Sequence, residues 1–124
     1  MKTVIIDDDS DILRLIEIKL TKAGHDVSTA QDGAEGAALV AEIKPALLIL
    51  ETELANKHGH AIIREAKARK SAPLCIILSS ESSDEAIAAG FAAGADDYLI
   101  KPFSPRVLLE RIRITAIRSA RHGA

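Results

Sequence analysis

The chain has 124 residues, 48% of them hydrophobic and 27% charged, with a formal net charge of −2. That length suits one compact domain, residues 1–124, with a real core and no room for a second. The near-neutral balance gives no general pull toward nucleic acid or an anionic membrane, and no apolar run approaches the ~20 residues of a bilayer span. The first residues, Met-Lys-Thr-Val-Ile-Ile, run straight into acids, so no signal peptide is expected and a cytoplasmic, soluble protein is. Aromatics are confined to Phe91, Tyr98 and Phe103, so the core must be aliphatic. Cys75, the lone cysteine, sits in the apolar run Leu74–Leu78 and reads as a small buried hydrophobe.

Short apolar runs alternate with amphipathic helical patterns. The runs are Val4–Ile6, Val27–Ala30, Ala46–Leu50, Leu74–Leu78 and Tyr98–Ile100. Three are continuous aliphatic stretches, as expected for parallel strands covered on both faces. Between the first two lies a helix capped by Asp9 or Ser10, with Leu13, Ile16 and Leu20 on one face and Lys22-Ala23-Gly24 at its end. Asp32 with Glu35 forms a capping box for the second helix. Pro45 precedes the third strand, the third helix is expected over Gly59–Arg69, and Ala72-Pro73 precedes the fourth strand. Ser83-Asp84-Glu85 opens the fourth helix, and Ser104-Pro105 opens the fifth. Five such units predict an α/β fold, an open, doubly wound, five-stranded parallel sheet with five helices and right-handed crossovers. Ligands of such sheets bind beyond the carboxyl ends of the strands.

Polar residues gather at that edge. The first strand ends in Asp7-Asp8-Asp9, the third in Glu51 with Glu53 two residues on, the fourth in Ser79-Ser80, and the fifth in Lys101-Pro102-Phe103. Clustered carboxylates need a compensating cation, and hard oxygen donors suit Mg²⁺. A lysine and a small hydroxyl beside such an ion are what a phosphoryl group requires, because its charge spreads over oxygens that want positive charge and donors. Each element alone has an ordinary explanation: acids opening a helix favour its dipole, Lys-Pro makes turns, serines cap helices, and Glu53 and Glu81 would be solvated. Four elements at four suitable strand ends exceed coincidence.

The stretches Val-Ile-Ile-Asp-Asp-Asp-Ser-Asp-Ile, Lys-Pro-Ala-Leu-Leu-Ile-Leu-Glu and Gly-Ala-Asp-Asp-Tyr-Leu-Ile-Lys-Pro-Phe carry a resemblance over essentially the whole chain. The chain resembles the receiver domains of response regulators in two-component signalling, of the chemotaxis-regulator-like type. Ser79 and Lys101 stand 22 positions apart and Gly59 stands eight after Glu51, as in that family. The resemblance implies a flavodoxin-like sheet of order 2-1-3-4-5. It implies that Asp7 and Asp8 hold a metal, Asp8 directly and Asp7 mainly through water, with the backbone carbonyl of Glu53 as a further ligand. Glu51 takes the phosphoacceptor position, and Ser79 and Lys101 contact the phosphoryl oxygens, with the Lys101–Pro102 bond cis. Tyr98 is the switch aromatic, moving inward when Ser79 is drawn toward phosphate. Glu53 and Glu81 match positions that tune phosphate lifetime. A histidine kinase or another signalling protein is the implied partner.

Glu51 departs from the family's aspartate. One extra methylene carries the nucleophilic oxygen about 1.5 Å further out, and misplacement of that size costs on the order of 10²-fold in a positioned reaction. Bound Mg²⁺ would be weakened. Glu51 either accepts bonds from Lys101 and Ser79 and mimics a phosphoryl group, or pairs with Lys101 and silences the site, which is the blander outcome. Ala55 replaces a usual proline, so the following loop should be looser, and His58 replaces a common aspartate. The Glu51–Ser79 interval is shorter than usual, so the third helix or its loop is trimmed.

On a wheel at 100° per residue, Leu108, Leu109, Ile112 and Ala116 form one stripe of the fifth helix, which should pack on the sheet. Val107, Ile114 and Ile117 point away, among Glu110, Arg111 and Arg118. In the family the surface of the fourth helix, fifth strand and fifth helix meets targets or a second copy, and Val107, Arg111, Ile114, Ile117 and Arg118 are the candidate contacts here. Scattered surface residues explain them equally well. The fourth helix, Ala86–Gly94, is small and glycine-interrupted, which suits a part that shifts. The arginines at 106, 111, 113, 118 and 121 mostly lie where a helix end favours them, so no nucleic acid binding is expected. His25, His58, His60 and His122 lack metal-site spacing and read as solvated.

The preferred reading is therefore a signalling receiver, not an enzyme, whose phosphorylation is impaired or mimicked by Glu51. The alternative is a competent phosphoacceptor that takes a phosphoryl group from a histidine kinase. A Mg²⁺-dependent phosphohydrolase is a third reading, disfavoured because no cap domain fits in this length. No Walker A or G-x-G-x-x-G sequence supports nucleotide binding.

Overall fold

The computed structural model describes residues 1–122. Strands β1 (Lys2–Ile6), β2 (Asp26–Ala30), β3 (Leu47–Leu50), β4 (Leu74–Ser79) and β5 (Asp97–Ile100) alternate with helices α1 (Ser10–Lys22), α2 (Gly33–Ile43), α3 (Gly59–Lys67), α4 (Asp84–Ala93) and α5 (Pro105–His122). The strands pair in parallel in the order β2-β1-β3-β4-β5. All five expected strands and helices are present, and the expected sheet order is the one observed.

The aliphatic runs form strands because both faces are covered. Val4, Ile6, Leu48, Leu50 and Ile77 face one way, onto Val40 of α2 and Ile62, Ile63 and Ala66 of α3. Their alternating neighbours Ile5, Leu47, Ile49, Ile76 and Leu78 face the other way, onto Leu13, Ile16 and Leu20 of α1 and Leu108 and Ile112 of α5. Two dry layers back to back bury most of the apolar area, which at about 25 cal/mol per Å² is the dominant stabilising term. Cys75 lies within the first layer, and burial pushes its thiol up to about 12. It is packing material.

Local signals set the helix ends. Asp9, rather than Ser10, caps α1, its Oδ1 accepting from the amides of Asp11 and Ile12. Asp32 caps α2 by accepting from the Glu35 amide at 2.8 Å, and Ser83 caps α4. The Ser104 hydroxyl accepts from Val107 N at 3.4 Å at the start of α5. α3 stops at Lys67, two residues short of the expected Arg69. The Lys67 ammonium turns away to donate to the Pro73 carbonyl and to Asp96, both at 2.7 Å. Asp96 Oδ2 also accepts from Cys75 N at 2.8 Å, tying the end of α3, the start of β4 and the entry to β5 together.

The stripe of α5 differs slightly from the wheel. Leu108, Ile112 and Thr115 are buried, while Leu109 and Ala116 lie at its half-buried border. Position 115, seven residues after Leu108, lies on the same helical face, and threonine is small enough to sit over the sheet.

Asp96→Ala removes one acceptor from two donors and should cost about 1–2 kcal/mol. Urea unfolding of the variant checks this, with the midpoint falling and the slope unchanged.

Candidate functional site

The strand register fixes the site. Ile6 pairs with Leu50 and Ile77 with Leu50, so β1, β3 and β4 end side by side. Ser79 pairs with Ile100, and the Lys101 amide donates to the Ser79 carbonyl at 2.9 Å. Asp7, Glu51, Ser79 and Lys101 are thereby delivered to one edge. Asp7 and Ser79 are almost fully buried and Glu51 is 8% exposed. Asp8 and Glu53 are exposed.

The Lys101 ammonium donates to Asp7 Oδ2 at 2.7 Å and stands 4.0 Å from Glu51 Oε2. Asp7 Oδ1 accepts from Asp9 N at 2.9 Å, so both its oxygens are engaged. Glu51 Oε2 is buried without any hydrogen-bond partner. The expected pairing of Glu51 with Lys101 is therefore an attraction at the limit of ion-pair range, with the direct bond going to Asp7. Burial pushes the Glu51 carboxyl above its ordinary value. Lys101 opposes that shift and the Asp7 charge adds to it.

Ser79 Oγ accepts from Glu81 N at 3.1 Å. Tyr98 is half-buried and donates its hydroxyl to the Glu81 carbonyl at 2.7 Å. Its ring lies against Gly90, where an added Cβ would meet the ring at 3.1 Å and Ile77 at 2.8 Å. The glycine that interrupts α4 thus has a packing reason. Gly59 has one too, because a Cβ there would come within 2.7 Å of the Glu51 carbonyl. The Lys101–Pro102 bond is cis, as the resemblance implied.

The loop expected to be looser is tied at several points. Gly33 N donates to the Ala55 carbonyl at 2.9 Å, Gly59 N to the Thr52 carbonyl at 2.9 Å, and Lys57 pairs with Glu65. His58 does not simply stand in solvent: it caps α3, Nδ1 accepting from His60 N at 3.1 Å, and its Nε2 lies 3.5 Å from Glu53. The sequence signal for that role was weak, since histidine is not among the residues that commonly cap helices. His60 packs edge-on to His58 at 4.6 Å, and burial lowers its pKa. His25 accepts from the terminal amine at 3.3 Å. The side chain of His122 lies outside the described residues.

The donor set has the right chemistry for a divalent ion, being all hard oxygen. Its arrangement does not fit one. Both Asp7 oxygens are taken, Asp8 is exposed, and among the described residues no three Asp, Glu, His or Cys side chains come together in a set able to hold a metal. On α5, Val107 and Ile117 are exposed at 46% and 41%, Ile114 is half-buried, and Arg111 pairs with Asp97 at 3.3 Å.

Residues 3–113 match the response regulator receiver domain family. The chain is 36% identical over 120 residues to the transcriptional regulatory protein AfsQ1 of Streptomyces coelicolor, covering 97% of this chain and 53% of that protein. It is 35% identical to the transcriptional regulatory protein PrrA of Mycobacterium leprae over 113 residues, covering 90% of this chain and 48% of that one. Among solved structures, a CheY-like response regulator receiver domain protein of Methanospirillum hungatei superposes with a TM-score of 0.89 at 27% identity, covering 98% of this chain and 97% of that one. The chain belongs to the response regulator receiver domain family of two-component signalling. It spans about half the length of the curated relatives it matches. No helix among the described residues is long and apolar enough to cross a membrane.

Two outcomes follow from the charges. A carboxyl whose folded pKa exceeds its unfolded value binds more protons when folded, so its contribution to stability falls as pH rises through that interval. Glu51→Gln should therefore be more stable than the parent at neutral pH, with the difference closing as pH falls toward the unfolded value of 4.5. Thermal unfolding of both proteins across that range reads it, and equal curves would contradict it. Lys101→Met leaves Asp7 buried and uncompensated and should cost about 3 kcal/mol at neutral pH by denaturant titration.

Proposed function

We propose that this receiver regulates a partner through its α4–β5–α5 surface, with phosphoryl chemistry at the strand ends impaired by Glu51. The observation that carries the reading is the Glu51 carboxylate itself, buried, lacking a hydrogen-bond partner on Oε2, and set beside an ammonium already committed to Asp7. An incoming phosphoryl group would need the space that this carboxylate fills and the donors that Lys101 and Ser79 hold. Ser79, Lys101, Tyr98 and Glu81 keep the positions that the family uses for binding and relaying phosphate, so the parts of a switch remain around an altered acceptor. Val107, Arg111, Ile114, Ile117 and Arg118 are the residues we assign to the partner surface.

The domain would act as a single unit in the cytoplasm, receiving input from a histidine kinase or another signalling protein and passing it to an effector. A homodimer through the same surface suits the exposed Val107 and Ile117. A competent phosphoacceptor is the second reading, and the retained Ser79–Lys101 pair is the observation in its favour.

Incubation with Mg²⁺ and acetyl phosphate followed by mass spectrometry distinguishes them. The parent should gain no phosphoryl mass, whereas Glu51→Asp should gain one and bind Mg²⁺ more tightly by calorimetry. A phosphorylated parent would establish the second reading. Failure of the Asp variant on both counts would mean that the remaining site has decayed as well.

A further inference from the structure

Every helix of a parallel, doubly wound sheet ends over the amino edge of the strands, and basic residues collect there. Lys19 and Lys22 lie in the last turn of α1, Lys44 closes α2, and Arg69 and Lys70 follow α3. Asp26, Asp96 and Asp97 also lie along this edge, with Asp96 paired to Lys67 and Asp97 to Arg111, so the basic groups left without a partner are the ones that matter. Along the amino edge runs a groove in two joined parts. One, of about 290 Å³, has Val40, Pro45 and Pro73 as a buried floor with Lys44, Arg69 and Lys70 around it. The other, of about 440 Å³, continues past Ala46 and Ser71 to Ala116 and Ser119 of α5. Lys44, Pro45 and Ser71 line both parts. No Asp or Glu lines either, and Lys44, Arg69 and Lys70 make no ion pair among the described residues.

Lys44 carries a second, independent signal. It caps α2 in the left-handed conformation, at φ 52 and ψ 64. Glycine adopts that conformation freely and is the usual residue at such a helix end, whereas an L side chain is strained there. The chain places a lysine at that point, where the two halves of the groove meet. Arg69 and Lys70 follow Ala68, the C-cap of α3, and Lys44 is itself the C-cap of α2, so two helix ends present their basic residues to one groove.

We propose that this groove binds an extended acidic segment of a partner protein, with carboxylates on Lys44, Arg69 and Lys70 and small apolar side chains over the floor. Nucleic acid fits less well, because Phe91, Tyr98 and Phe103 all lie elsewhere and no ring is available for base stacking. A bilayer fits less well too, because a recessed floor has nothing to insert.

The test is an NMR titration of the whole chain with a peptide of alternating Asp and Ala, set against one of alternating Lys and Ala. The acidic peptide should bind in a salt-sensitive way, shifting the amides of Ala46, Ser71, Ala116 and Ser119. Lys44→Gly should keep or raise the thermal midpoint, since it relieves the strained backbone, yet lose about tenfold in affinity. A purely structural lysine would give the first change without the second. The proposal is overturned if the acidic peptide binds no better than the basic one, if the shifts fall elsewhere, or if Lys44→Gly binds unchanged. It is equally overturned if a single-stranded oligonucleotide or phosphatidylglycerol vesicles compete as well as the peptide, because the groove would then read bare negative charge.

Discussion

One ammonium serves two buried carboxylates at the heart of this molecule, and it serves them unequally. Lys101 gives its short bond to Asp7 and leaves Glu51 at the outer limit of attraction. Taking three charged groups out of water is costly, and only close pairing returns that cost. Asp7 is paired on both oxygens and Glu51 is not. Burial is the main reason that Glu51 holds its proton more tightly, and a distant Lys101 offsets it only in part.

That crowding is imposed by topology. Parallel strands in register must end together, and whatever follows β1, β3, β4 and β5 is pressed into one shallow edge. The two aliphatic layers behind the edge are rigid, because packed interiors resist sub-ångström adjustment. A side chain longer by one methylene therefore cannot be absorbed by a relaxing scaffold. It projects into the pocket, and Gly59 shows how little room the backbone of residue 51 has to retreat.

Much of this was legible in the residues. The aliphatic runs, the caps at Asp9, Asp32 and Ser83, and the breakers at Gly24, Pro45 and Pro73 act locally, and they placed the elements. The convergence of Asp7, Glu51, Ser79 and Lys101 was also legible, because strand ends in a doubly wound sheet share an edge. What the order of residues could not carry was the division of Lys101 between two acids, which depends on angles within a packed pocket. The same holds for Lys67 and Asp96, far apart in sequence and joined only by the way α3 stops. The burial of Thr115 follows from its place seven residues after Leu108, on the same helical face, and a search for apolar residues alone passes over it.

The Lys101 amide hangs on the Ser79 carbonyl, at the last rung between β4 and β5. Hydroxyl and amine are therefore two fingers of one hand. The bond joins backbone atoms, so it fixes the spacing from which the two side chains start, whatever either of them binds. Replacing either side chain would leave that spacing standing, so the scaffold keeps its grip geometry even where one finger is exchanged.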